Sequence, residues 1–223
     1  MISIKYDMIV ISLGGSVIVP NEIDLKFIRE FSRIIRNSKE QLVIVCGGGS
    51  TARKYQNAAR ILKSSKNDLD WIGICATQLN AELVKRALNI EHSIISDPSK
   101  KLKTKKHVVT SGWKPGFSTD YDAVLIAVKN HARFIINVSN TDYIYDTDPH
   151  KNKNAKLFRY LTWSEYFEKI LHKTKWKPGM HIPFDPKASQ LAKKNRIKVF
   201  FVKGIGDTKA ILHGRKFKGT VIE

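Results

Sequence analysis

"LVIVCGGGSTARKY", residues 42–55, is the stretch that decides the fold. Apolar residues with strand preference run directly into Gly47-Gly48-Gly49, and Ser50 or Thr51 can cap a helix that carries Arg53 one turn in. A strand that ends in glycines and restarts as a helix is the repeating corner of a parallel α/β sheet. The N–H groups at such a corner lie at the positive end of a helix dipole, where a phosphate binds well. The spacing is neither G-x-x-x-x-G-K-[ST] nor G-x-G-x-x-G, which excludes those two nucleotide loops. Turn geometry alone also accounts for the glycines, because glycine reaches φ > 0 cheaply.

A second corner precedes this one. In "IVISLGGSVIVP", residues 9–20, a strand-like run stops at Gly14-Gly15-Ser16. Further Val- and Ile-rich runs occur at 8–13, 42–46, 92–96, 107–111, 133–138 and 198–202. They are short and lack polar alternation, as expected of strands buried on both faces. Between them, Ile23, Phe27, Ile28, Phe31, Ile34 and Ile35 fall on one helical face. Leu79, Leu83, Val84, Ala87 and Leu88 form another, and Ala123, Ile126, Ala127 and Asn130 a third. Asp185-Pro186 opens a further helix, with proline in its first turn. The alternation predicts a mainly parallel sheet that binds ligands beyond the carboxyl ends of its strands.

The 223 residues, 42% of them hydrophobic, suffice for one large domain or two lobes on one sheet. No apolar run approaches the ~20 residues of a membrane span. The N-terminus lacks a small-residue cleavage site, which predicts a cytoplasmic protein without membrane contact. Cys46 and Cys75 sit in apolar surroundings and read as core thiols of a reducing compartment. No histidine pair has zinc-site spacing, and no residues are assigned to a metal. The net charge of +19, clustered locally at 100–106, 173–177 and 215–218, suits anionic ligands or follows from an A/T-rich codon bias. A sequence-specific nucleic-acid binder is not expected, since no zinc finger or RNP aromatic signature accompanies the charge.

Two more stretches carry chemistry. In "GWKPGFSTDYDAV", residues 112–124, a Gly/Pro turn leads to Ser118 or Thr119 at a helix start that carries Asp120. The group is a helix cap or a site for substrate hydroxyl and phosphate. In "NVSNTDYIYDTDP", residues 137–149, a strand runs into an Asp-rich loop.

These stretches, in this order, resemble the archaeal-type uridylate (UMP) kinases of the amino acid kinase superfamily. The matching segments are LGGSVIVP, VCGGGSTARKY, DWIGICATQLNAELV, KPGFSTD, NVSNTDYIYDTDP, FDPKASQLAKKNRIKVFFVKG and the terminal GTVIE. Each is weak alone; their order and spacing span most of the chain. The resemblance implies an α/β fold, a three-layer α/β/α sandwich with a central mainly parallel sheet. It implies one domain with an acceptor half, about 1–125, and an ATP half, about 126–223. The activity implied is γ-phosphoryl transfer from ATP to UMP, giving UDP and ADP in pyrimidine nucleotide biosynthesis, with Mg²⁺ accompanying ATP. A homo-oligomer, hexameric in relatives, is implied as well.

By the same resemblance Gly14 and Gly15 lie against the transferring phosphate, and Gly48 and Gly49 form the second phosphate loop between acceptor and donor. Arg53 meets the phosphates, and Asp120 organises the reacting centre together with Arg53 and Gly15. Asp70 accepts from the acceptor ribose, and Trp113, Lys114, Pro115, Gly116, Phe117, Ser118 and Thr119 wrap the acceptor nucleotide. Ser139, Tyr145 and Asp148 line the ATP nucleoside pocket.

The chain departs from the family pattern at several places. Ser12 stands where many relatives have a lysine, and Pro183 stands at a second common lysine position. Tyr143 replaces the glycine of the Asp-Gly-(Val/Ile)-Tyr motif, and Trp113 and Lys114 replace residues that usually differ. Removing one donor from a developing anion typically costs ~3 kcal/mol, so Arg53, Lys114, Mg²⁺ and the backbone would supply the charge. Rival readings are an isopentenyl phosphate kinase, whose acceptor loop normally offers a histidine where this chain has Ser50-Thr51-Ala52-Arg53, and an inactive nucleotide-binding relative.

Overall fold

The computed structural model describes residues 8–132, 134–149, 151–172 and 182–223. The basic cluster at 173–177, the residues before Met8 and the first residue of the 133–138 run lie outside the described residues. Strand β1 (Met8–Leu13) pairs in parallel with β2 (Gln41–Cys46) on one side and β4 (Phe134–Ser139) on the other. β3 (Val108–Thr110) extends the sheet beyond β2, and β8 (Lys198–Lys203) extends it beyond β4. β9 (Gly219–Ile222) runs antiparallel to β8, and β7 (Tyr160–Leu161) closes the order β3-β2-β1-β4-β8-β9-β7. A small hairpin of β5 (Ile144–Tyr145) and β6 (Leu157–Phe158) stands apart.

The strands lack polar alternation because both faces are covered. Val10, Val43, Val45 and Ile135 enter one apolar cluster, whereas Ile9, Ile11, Leu13, Leu42, Ile44, Cys46, Ile136 and Val138 enter the other. The first cluster is roofed by α5 (Thr119–Lys129), α6 (Trp163–Tyr166) and α7 (Pro186–Lys194). Helices α2 (Leu25–Arg36), α4 (Lys66–Ala87) and α8 (Gly204–Leu212) cover the second. The result is the three-layer α/β/α sandwich that the sequence predicts.

Helix ends follow their local chemistry. Asp24 caps α2 by accepting from the Phe27 N–H at 2.8 Å, so Ile23 falls outside the helix and is 51% exposed. α4 begins with a capping box in which Ser65 and Asp68 satisfy each other's backbone donors. Leu79, expected on the buried face of α4, is 64% exposed, and Cys75 is exposed on the same helix. Only Cys46 is a core thiol, and burial pushes its pKa up. Residues 92–96 do not form a strand. The segment meets the sheet at one bridge, Ile95 to Thr110, while the His92 ring bonds the His107 carbonyl at 2.9 Å. One backbone bond, from the Ile95 N–H to the Val109 carbonyl at 3.3 Å, and the His92 side chain thus anchor this segment in place of a full ladder.

At the carboxyl ends of β1 and β2 the two glycine corners meet backbone to backbone. One residue separates β1 from α1 (Gly15–Ile18), and two separate β2 from α3 (Gly49–Ile61). A Cβ on Gly15 would lie 1.9 Å from the Gly49 nitrogen, and one on Gly47 would lie 2.5 Å from the Gly15 nitrogen. Gly49 also holds φ +64°. Glycine is required here by the neighbouring backbone, which cannot rotate aside as a side chain can. We expect Gly15→Ala to cost at least the ~1–3 kcal/mol of ordinary overpacking. Gly206→Ala, in α8 with nothing within 4 Å of its Cβ, should be neutral or stabilising by up to ~1 kcal/mol. Urea midpoints of the two variants check this; equal midpoints would contradict it.

Candidate active site

The glycine corners leave a set of open donors. Gly14 N–H is taken by the Val138 carbonyl at 3.0 Å, and Gly47 N–H by the Leu13 carbonyl at 2.9 Å. Among the described residues no acceptor takes the N–H groups of Gly15, Ser16, Gly48 or Gly49. Neither Ser50 nor Thr51 caps α3: Gly48 is the cap residue, without any side-chain cap bond. Ser50 is instead buried and donates to the Asn21 carbonyl at 2.9 Å. The start of α3 therefore keeps its dipole and its donors, the condition for holding an anion. Asn80, buried in α4, donates to the Gly47 carbonyl at 2.8 Å and fixes the loop from behind. Arg53 reaches the Pro20 carbonyl at 3.3 Å, which brings its guanidinium to the segment that follows the first corner.

Asp120, in the first turn of α5, gathers three elements around it. Ser12 at the end of β1 donates to Asp120 Oδ1 at 3.0 Å, and Asn137 of β4 donates to the same oxygen at 3.1 Å. The Asp185 N–H, just before α7, approaches Oδ2 at 3.4 Å. Ser118, not Asp120, caps the helix by accepting from the Tyr121 N–H. Burial of its carboxyl pushes Asp120 up to about 6, against the Ser12 bond and helped by the charge of Asp185. Asp122 is fully buried two residues on and is pushed up to about 7, again mainly by burial. Its Oδ2 accepts from the Trp113 N–H at 3.1 Å, whereas its Oδ1 is unpartnered among the described residues.

The turn at 112–118 lies beside this cluster. Phe117 sits between Trp113 (5.4 Å between centroids) and Tyr121 (4.6 Å), and Lys114 lies 3.8 Å over the Trp113 ring. Gly112 donates to the Thr77 hydroxyl of α4 at 2.8 Å. Asp70 is inside α4, not a cap, and its Oδ2 accepts from the Gly116 N–H at 2.9 Å. Asp70 and residues 113–118 thus come together, as do Ser12, Asp120 and both glycine corners. Pro115 and Thr119 complete the turn and the first position of α5.

On the other half, Ser139 ends β4 one residue beyond the Val138 carbonyl that holds Gly14. Tyr145 donates to Asp142 Oδ1 at 2.9 Å, and Tyr143 is buried edge-on to Tyr145 at 6.4 Å, with Arg159 5.7 Å over its ring. No positive φ is needed at 143, so tyrosine replaces the family glycine without strain. Asp148 lies in the β5–β6 connection, where its carbonyl accepts from Lys151 and Asn152. Next to Pro183, Phe184 is buried and exchanges two hydrogen bonds with the Tyr166 hydroxyl, which sets the entry to α7. The sequence reading missed Asn80, Asn137, Asp122 and Asp185. Asn137 was legible as the one amide in an otherwise apolar buried run; Asp122 was hidden in a helical stretch beside Asp120.

A carboxyl raised in the fold binds its proton more tightly there than in the unfolded chain, so it adds stability as pH falls toward its ordinary range. Asp122→Asn removes that dependence. The stability difference between this variant and wild type should change by about 2 kcal/mol from about pH 8 to about pH 5.5, the variant losing its advantage at the acid end. Denaturant midpoints at both pH values check it; a pH-independent difference would contradict it.

The sequence matches the model of the amino acid kinase family over residues 7–203. It is 36% identical to a uridylate kinase of Thermoplasma acidophilum, over 97% of each chain. It is 35% identical to a uridylate kinase of Thermoplasma volcanium, over 97% of this chain and 98% of that one. Among solved structures, the uridylate kinase of Archaeoglobus fulgidus superposes with a TM-score of 0.82 at 31% identity, covering 96% of this chain and 99% of its own.

Proposed function

The chain belongs to the amino acid kinase family, and we propose that it transfers the γ-phosphoryl group of ATP to UMP, giving UDP and ADP. The observation that carries this reading is the pair of packed glycine corners, whose free N–H groups lie at the same strand ends whose Ser12 and Asn137 hold Asp120. The uridylate kinases to which the chain is similar over almost its whole length support UMP as acceptor.

The chemistry asks for position and charge more than for a base. The phosphate of UMP has a second pKa near 6, so its attacking oxygen carries no proton at neutral pH. Backbone donors at Gly15, Ser16, Gly48 and Gly49, the start of α3 and Arg53 stabilise the charge that spreads over the transferring group. Asp120 is mostly ionised at neutral pH, and neutral donors from Ser12 and Asn137 hold it where relatives place a lysine nearby. Among the described residues no three His, Cys, Asp or Glu side chains are arranged to hold a metal ion. In this reading Mg²⁺ enters with ATP, as part of the substrate. Asp70 reads the acceptor ribose, with residues 113–119 around the nucleotide, while Ser139, Tyr145 and Asp148 face the ATP nucleoside.

The reading includes a cytoplasmic location in pyrimidine nucleotide biosynthesis; no helix among the described residues is long and apolar enough to cross a membrane. It also includes self-association. Trp71 and Leu79 are exposed one turn either side of Cys75 on α4, and Tyr55, Ile61 and Leu62 are exposed on α3 and at its C-cap. Such apolar exposure fits a contact between copies; sedimentation as a monomer would contradict it.

ADP release should be rapid with UMP, lower by roughly 10- to 100-fold in kcat/KM with dUMP, and lost in excess chelator. Asp120→Asn should lower kcat by at least ~10²-fold in a folded protein. Turnover of isopentenyl phosphate in preference to UMP, or of neither, would overturn the assignment.

A further inference from the structure

Gly116 is held from both sides by charged side chains of different halves of the chain. Its N–H donates to Asp70 of α4 at 2.9 Å, and its carbonyl accepts from Lys187 Nζ of α7 at 3.0 Å. Gly116 has φ +84°, a conformation other residues rarely adopt, so the turn presents both backbone groups outward to these two partners. Lys187 also lies 5.2 Å over the Phe117 ring, and Lys114 lies 5.3 Å from the same ring. Two residues before Lys187, the Asp185 N–H meets Asp120. The first turn of α7 therefore touches both the acceptor segment and the carboxylate at the reacting centre.

We propose that Lys187 is a positioning residue for the acceptor: through Gly116 it ties the UMP-binding segment to the helix start that steadies Asp120. The proposal rests on the uridylate kinase reading and goes beyond it, because Lys187 stands four residues past the family's usual lysine position, here Pro183. Lys187 is exposed, and its bond is to a loop carbonyl, so its loss leaves the core intact. What it removes is order in the acceptor segment. UMP then has to order that segment on binding, which weakens UMP and leaves ATP unaffected.

The test uses Lys187→Met, which keeps the apolar stem over Phe117, and Lys187→Arg, which keeps the donor. KM for UMP should rise about 3- to 10-fold in Lys187→Met, with KM for ATP unchanged, and Lys187→Arg should restore it. Amide exchange of the nucleotide-free protein over residues 112–118 should rise by a similar factor in Lys187→Met and not in Lys187→Arg. Unchanged exchange, an unchanged KM for UMP, or a rise in KM for ATP instead would each overturn the proposal. A wild type that does not phosphorylate UMP would sink the substrate assignment, while the exchange comparison would still decide whether Lys187 orders the loop.

Discussion

Gly15 and Gly49 touch through their main chains, and the active site is built around that contact. A Cβ on either residue would sit within 2.4 Å of the other's backbone. Two strand ends can approach this closely only when both corners are free of side chains. The approach has two effects at once. Gly14 and Gly47 give their N–H groups to Val138 and Leu13 and seal the strands, while Gly15, Ser16, Gly48 and Gly49 keep theirs. The same glycines therefore answer to turn geometry and to ligand chemistry. One set of residues meets both demands because parallel strands end in a row, and the helices that follow start with open donors.

Around this backbone cradle, the chain manages charge with neutral groups. Asp120 takes hydrogen bonds from a hydroxyl, an amide and a main-chain N–H, and it remains raised to about 6 because these donors offset burial only in part. A lysine at position 12 would stabilise the carboxylate more strongly and add a cation toward the phosphates. In the proposed reaction Ser12 leaves that positive charge to the backbone, to Arg53 and to the metal that travels with ATP. Lys187 bonds the Gly116 carbonyl and, in the role proposed for it, contributes at one remove by holding the loop that would receive the acceptor.

Much of this was readable in the residues themselves. The continuous Val/Ile runs announced strands buried on both faces, and the Asp185-Pro186 pair announced α7, because each depends on local chemistry alone. The run at 92–96 misled, since its apolar content is real but a single backbone bridge and a histidine side chain, not a ladder, join it to the sheet edge. Ser50 and Thr51 misled because α3 already starts at Gly49, which puts both inside the helix, and the Ser50 hydroxyl is taken by the preceding loop. Leu79 and Cys75 were misplaced because their side of α4 faces outward within a single chain. Asn80 and Lys187 act across long sequence separations, and no spacing rule in the sequence connects them to their partners.

The central claim is that unbonded glycine N–H groups at two packed corners receive the phosphates. Amide spectra of glycine-labelled protein, recorded while a non-hydrolysable ATP analogue and then UMP are added, test it most directly. The account predicts that the signals of Gly15, Gly48 and Gly49 move strongly, while those of Gly14 and Gly47, already bonded within the sheet ends, move little. Unmoved signals from Gly15, Gly48 and Gly49 at saturating nucleotide would contradict it.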